Sequence, residues 1–249
     1  MNISKTGIIC LAASLCGVAN ADNLDSITES VLADSSTRFS LSGEEHLSLD
    51  LGGFIQTGWS YGSGAGLDSE YGFSVDRARL ILSGDLGKDA SYLLSGQWSD
   101  VTSSFDLLDA RVDFRAFDVA DVRVGQFVPA FYSGFVTDPR SLITNNYSVS
   151  ALTFGQGRGQ GVELSDFFVA ENVKFSGFYT NGFNDTDGVG TDNGYAIGAR
   201  ASIDLGGGLA VGGGYAYNSN DVTDYSSYTV DLDYTSGKLD FNAAWISNN

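Results

Sequence analysis

Residues 228–234 read Tyr-Thr-Val-Asp-Leu-Asp-Tyr, an unbroken alternation of apolar and polar side chains. Successive side chains of a β-strand point to opposite faces. Tyr228, Val230, Leu232 and Tyr234 therefore share one face, and Thr229, Asp231 and Asp233 the other. Two features mark the kind of strand. The polar face carries carboxylates, and the apolar face has aliphatic residues in the middle with a tyrosine at each end. A sandwich core places its large aromatics mid-strand. A strand that crosses a bilayer carries an apolar band bounded by aromatic girdles at the two interfaces.

The same period recurs in both directions from this stretch, over His46 to Asn249. Near the start, Leu49, Leu51, Gly53, Ile55, Thr57, Trp59 and Tyr61 oppose Asp50, Gly52, Gln56, Gly58 and Ser60. Ala78, Leu80 and Leu82 oppose Arg77, Arg79 and Ser83, while Phe73 and Val75 fall out of phase with that set, which predicts a bulge near Asp76. Leu108, Ala110, Val112 and Phe114 oppose Asp109, Arg111, Asp113 and Arg115. Val162 and Leu164 oppose Glu163, and Tyr195, Ile197, Ala199 and Ile203 oppose Arg200 and Ser202. Eleven such segments can be marked, and because bacterial barrels of one chain use even numbers, the expectation is an all-β transmembrane antiparallel β-barrel of about 10–12 strands.

Short turns (84–89, 117–121, 206–208, 236–238) alternate with longer polar loops (62–72, 100–104, 181–194, 218–226), as they must when strands go up and down through a membrane. The short set is expected at the periplasmic side. One connection is exceptional: Val128 to Gln160 holds both prolines, Pro129 and Pro139, and a structureless connection of that length is usually functional. In a porin it is expected to fold inward and narrow the lumen, with an exposed extracellular loop as the alternative.

Met1 to Lys5 is a short basic segment, Gly7 to Val18 an apolar run, and Ala19-Asn20-Ala21 places small residues where a signal peptidase reads. That pattern predicts a signal peptide over 1–21. Residues 22–45 read as a polar, acidic periplasmic leader, either with a short helix at Leu24–Leu32 or disordered, and 46–249 as the barrel. Both cysteines, Cys10 and Cys16, lie in the signal, so no disulfide is expected in the mature chain. Loss of Lys5 takes the formal charge from −18 to −19, which argues against a nucleic-acid partner.

Enzyme chemistry finds little support. His46 is the one histidine and precedes the first strand, where no triad could use it. Asp185, Asp187 and Asp192 resemble a calcium loop, but Val189 and Ala196 stand where ligands are required. The Gly-rich run 155–161 lacks the strand and helix that a nucleotide loop needs. No catalytic residue, cofactor or metal is expected. The arginines are the better candidates. Arg77, Arg79, Arg111, Arg115, Arg123 and Arg200 fall on the polar parity, and Arg140 and Arg158 lie in the long connection. Guanidinium forks match phosphate oxygens, and rings of cations select anions in pores. The competing reading pairs them with Asp109, Asp113 and Glu163 across strands.

Several segments in order resemble one family. They are Asp76-Arg77-Ala78-Arg79-Leu80 with Gly84-Asp85-Leu86-Gly87, Leu108-Asp109-Ala110, Val124-Gly125-Gln126-Phe127 with Pro129 and Phe131, Arg140-Ser141, and Gly157-Arg158-Gly159-Gln160-Gly161-Val162. They look like the phosphate-selective porin O and P family. The likeness is clearest over Leu51 to Gly182 and departs at Val128, where the family often has lysine. It implies a sixteen-stranded barrel in the bacterial outer membrane, in contact with lipid, a homotrimer, passing small ions such as phosphate. Against that strand number the chain is short, so a truncated porin and a smaller barrel both stand as expectations. Parity and loop position make Arg77, Arg79, Arg111, Arg115, Arg140 and Arg158 the expected pore or anion-binding set, and the resemblance adds that family members carry basic residues at the positions of Arg77, Arg79, Arg140 and Arg158. A passive diffusion porin is the leading expectation, and a non-conducting structural or adhesive barrel is the alternative.

Overall fold

The computed structural model describes residues 13–14, 37–40, 47–62, 70–99, 104–117, 120–132, 157–183, 194–219, 224–237 and 239–249. Among these the regular elements are all strands: β1 (Ala13–Ser14), β2 (Thr37–Ser40), β3 (Ser48–Gly62), β4 (Glu70–Asp85), β5 (Ala90–Ser99), β6 (Ser104–Phe117), β7 (Ala120–Phe127), β8 (Gly159–Ala170), β9 (Val173–Thr180), β10 (Tyr195–Gly206), β11 (Leu209–Ser219), β12 (Asp224–Ser236) and β13 (Leu239–Asn248). No helix of the described residues is long and apolar enough to cross a membrane, which leaves crossing by strands untouched. The eleven strands β3–β13 coincide with the eleven segments marked by period-two alternation. They hydrogen-bond in chain order, β3 to β13, as an antiparallel up-and-down sheet. Among the described residues β13 pairs with β12 alone, so the sheet is not closed.

The chain forms two compact units, Met1–Gly84 with Leu94–Leu107 and Ile143–Asn145, and Asp85–Leu93 with Leu108–Leu142 and Asn146–Asn249. In the first, β3 and β4 pair from Asp50↔Ser83 to Gly62↔Glu70. On the other edge of β3 lie β2, with Thr37 opposite Leu51, and the two residues of β1, with Ala13 opposite Thr57. The register slips once: Gln56 faces Arg77 and Thr57 faces Val75, so Asp76 is the extra residue. This is the predicted bulge, and it explains the phase change. One inserted residue returns Phe73 and Val75 to the exposed face already occupied by Leu80.

In the second unit β7 to β13 pair strand by strand, and β6 pairs β7. Connections alternate between short turns, such as Gly206-Gly207-Gly208 between β10 and β11, and longer ones. All three of those glycines have positive φ (81°, 62° and 82°), a conformation other residues rarely adopt. The turn at Glu171–Asn172 between β8 and β9 is a further short one. The two faces differ as the opening stretch requires. On β12, Val230 is 54% exposed and Asp231 1%. Ile197, Phe175, Val162 and Trp245 share the exposed face, whereas Thr180, Ala196, Ala216, Ser227 and Thr229 are buried. Near the long-loop ends of β9–β12, rings gather on the exposed face: Tyr179 stacks on Tyr195 at 6.1 Å, Tyr195 meets Tyr217 at 6.0 Å, and Tyr215 meets Tyr228 at 5.1 Å. The predicted leader helix at 24–32, His46, and the acidic loop at 185–192 lie outside the described residues.

Candidate functional site

The polar face of the second unit is a ladder of charge pairs. Asp109 on β6 and Asp113 four residues on, two strand periods away, point the same way. Arg123 of β7 lies opposite Asp113 in register and donates to it at 2.6 Å. Arg123 also stands opposite Glu163 of β8 and donates to its Oε1 at 2.8 Å. Arg111 donates to the other oxygen of Asp113 at 3.1 Å. Arg158, just before β8, makes a two-pronged contact with Asp109, Nε to Oδ1 and Nη2 to Oδ2, each at 3.1 Å. On the far strands Arg200 of β10 reaches across β11 to both oxygens of Asp231 on β12. Paired this way, partly buried charges recover through mutual attraction part of the desolvation cost that burial imposes on each.

Glycine makes the reach possible. A Cβ at Gly212 on β11 would fall on the Arg200 guanidinium and within 2.8 Å of Asp231 Oδ1. Gly125 has φ 128°, and a Cβ there would collide with the Ala110 carbonyl of β6. Its neighbours in the Gly-Gln-Phe segment are both buried. Gln126 donates to the Leu108 carbonyl at 2.8 Å and accepts from Gln160 at 3.1 Å. Phe127 lies under the Arg123 guanidinium, 5.7 Å from its ring centre. Segments far apart in the chain, 108–110, 125–131 and 158–163, thus meet at the base of the long connection.

Residues 133–156 of that connection lie outside the described residues, and with them the expected course of the loop as a whole. Val128 to Tyr132 turn onto the polar face, with Phe131 N–H donating to the Pro129 carbonyl at 2.8 Å. The Ala130 N–H donates to Glu163 Oε2 at 2.6 Å. The Phe131 carbonyl lies 2.6 Å from where a Cβ on Gly214 would be, so this β11 glycine admits the loop backbone. Phe131, Tyr132, Phe178, Phe183, Ala196 and Ala216 form one buried apolar cluster, with Tyr225 and Ile246 against it. Phe183 is held by its own N–H donating to Asn218 Oδ1 at 2.9 Å. Burial and the Asp231 and Asp233 carboxylates push the Tyr132 phenol above its usual range, against a smaller pull from Arg200, so it stays neutral.

The six arginines marked as pore residues fall into separate settings. Arg77 and Arg79 belong to the first unit. Arg77 donates to Gln56 Oε1 at 2.6 Å. Arg79 donates to Gln97 Oε1 at 2.8 Å and lies over the Phe54 ring at 5.4 Å. Arg111 and Arg158 belong to the ladder of the second unit. Arg115 is exposed beside the short turn 85–89, its backbone N–H on the Asp89 carbonyl at 2.7 Å and its side chain toward the Lys88 carbonyl at 3.5 Å. Arg140 lies outside the described residues. The competing reading of the sequence, which pairs the arginines with Asp109, Asp113 and Glu163, matches the partners of Arg111, Arg123 and Arg158, but it does not name Asp231 as the partner of Arg200. The signal for Asp231 is its place between Val230 and Leu232, which puts its carboxylate on the polar parity of the strand. Among the described residues, no group of three or more His, Cys, Asp or Glu is placed to hold a metal ion.

The sequence profile of the phosphate-selective porin O and P family matches residues 55–231, which includes the whole ladder and the long connection. No curated protein sequence matches the chain.

Proposed function

The chain belongs to the phosphate-selective porin O and P family, and on that premise we propose that it is a bacterial outer-membrane channel for passive diffusion of small hydrophilic solutes, phosphate-sized anions among them. The observation that carries this reading is the division of each strand. Apolar side chains such as Leu80, Val230 and Ile197 stand exposed, while charged ones such as Glu163, Asp231 and Arg200 face the side onto which the long connection turns. Lipid accounts for the first face and a water-filled lumen for the second. Rings of tyrosine at one end of the exposed face fit an interface girdle. Arg77, Arg79, Arg111, Arg115, Arg140 and Arg158 are proposed to line the path of the ion, and homotrimer assembly is proposed with it. A transport role, with no chemistry performed on the solute, is part of the same proposal.

A second reading has its own support. The apolar cluster around Phe131 and Phe178 fills space on the polar face, as a plugged, structural or adhesive barrel would require. Conductance in a planar bilayer separates the two. Discrete ohmic steps are expected from the purified protein. Insertion without conductance would end the channel reading and leave the plugged barrel.

A further inference from the structure

Glu163 lies on β8 with its side chain wholly buried, and its two oxygens serve different parts of the chain. Oε1 accepts from the Arg123 guanidinium of β7. Oε2 accepts from the Ala130 backbone N–H at 2.6 Å, inside the turn with which the long connection leaves β7. Arg123 is shared in turn with Asp113, and Asp113 with Arg111. Alternating charges thus run from β6 through β7 to β8 and end on the loop backbone.

The described start of the loop, residues 128–132, is held in two ways of different kinds. Phe131 and Tyr132 sit in the apolar cluster, and apolar contact is non-directional, so it allows a chain to slide. A hydrogen bond from an amide to a carboxylate is directional and stronger than a neutral one. Of the two, only this bond fixes where the turn points. We propose that Glu163 is the positioning residue for the start of the long connection: its charge is balanced by Arg123, and its second oxygen latches the chain at Ala130. The consequence for channel width rests on the diffusion-channel reading, but the latch itself does not.

The test is accessibility at Tyr132, which is buried when the loop is seated. A Tyr132→Cys parent of the full chain is folded in detergent. The rate of its modification by a small water-soluble methanethiosulfonate is read by peptide mass at that position, so other cysteines do not interfere. Glu163→Ala and Ala130→Pro, which removes the donor and leaves every wall side chain in place, should each accelerate modification by about tenfold or more, the factor that one charge-assisted hydrogen bond supplies. Glu163→Gln keeps an oxygen acceptor for Ala130 and should stay within about threefold of the parent. Unchanged rates in Ala130→Pro overturn the latch. So does a Glu163→Gln rate as high as that of Glu163→Ala, which would make charge balance on the wall the controlling factor. Should Glu163→Ala fail to fold, Ala130→Pro decides alone. Bilayer conductance of the parent is recorded in parallel: its absence defeats the channel reading while the modification rates still judge the latch.

Discussion

At the scale of the residue, the polar face is built where glycine gives way to charge. Arg200 and Asp231 sit on strands separated by β11, and they meet because Gly212 leaves the space between them empty. Gly212→Val should cost about 1–3 kcal/mol, the usual range for forcing methyls into a filled site. Asp231→Ala should cost about 3–5 kcal/mol, since it strands an Arg200 side chain that is only 13% exposed. Urea titration of the folded barrel measures both, and the Arg200→Ala/Asp231→Ala double variant should be less impaired than Asp231→Ala. A double variant as unstable as the sum of the singles would mean that the pair is not coupled. Of this arrangement, the sequence discloses the parity of Arg200 and Asp231. It does not disclose the partnership. Which residues face one another across strands depends on register, and register is set by turns and bulges that a period-two pattern does not encode. Arg158 with Asp109 is the same case, two residues 49 positions apart whose union depends on where the long connection ends.

At the scale of the element, alternation is strong information. It marks the eleven strands β3–β13, the phase change that becomes the Asp76 bulge, and the alternation of short and long connections. It passes over the Glu171–Asn172 turn, because that dipeptide lacks the glycine by which most of the other short turns are recognised. It says that the connection after β7 is special but cannot say where it sits, since Phe131 and Tyr132 look like any loop aromatics until β9–β11 supply the cavity that receives them. The assignment of faces yields a direct prediction. Leu80 and Ile197 are 47% and 49% exposed, and Val112 shares the outward parity of β6. Arginine at any of the three should destabilise folding into lipid vesicles by about 2–4 kcal/mol where the site lies near the bilayer midplane, and by less toward the interfaces. Folding free energies that do not change at all three positions would place these residues on a watery face and reverse the reading of the sheet.

At the scale of the whole molecule, the N-terminal pattern and the balance of charge each make a claim that can be checked. Cleavage after Ala21 is proposed, so Edman or mass analysis of the membrane-extracted protein should read Asp22 first; an intact Met1 would refute the signal assignment. The second claim concerns ion preference. In the ladder, Arg111, Arg123, Arg158 and Arg200 are matched by Asp109, Asp113, Glu163 and Asp231. Within these pairs four cations meet four anions, in a chain whose formal charge is −18. The preference for anions that the family name carries therefore depends on differences between residues on the solute path. Fixed charges act most strongly where the water is narrow, because bulk electrolyte screens beyond about 8 Å at physiological ionic strength and a confined path screens less. Removing Arg77, Arg79, Arg140 or Arg158 singly, as alanine, should lower the permeability of anions relative to cations. Asp109→Asn should raise it, because it frees the Arg158 guanidinium from the carboxylate that now holds it in two prongs. The opposite signs are the test, since a variant that merely distorts the barrel has no reason to obey them. Reversal potentials across a bilayer in an asymmetric potassium chloride gradient read the ratio directly. Shifts of opposite sign for Arg158→Ala and Asp109→Asn place the pair on the solute path. If all four arginine variants and Asp109→Asn keep the parent potential, these side chains are structural ion-pair partners, and whatever selects the solute lies elsewhere in the chain.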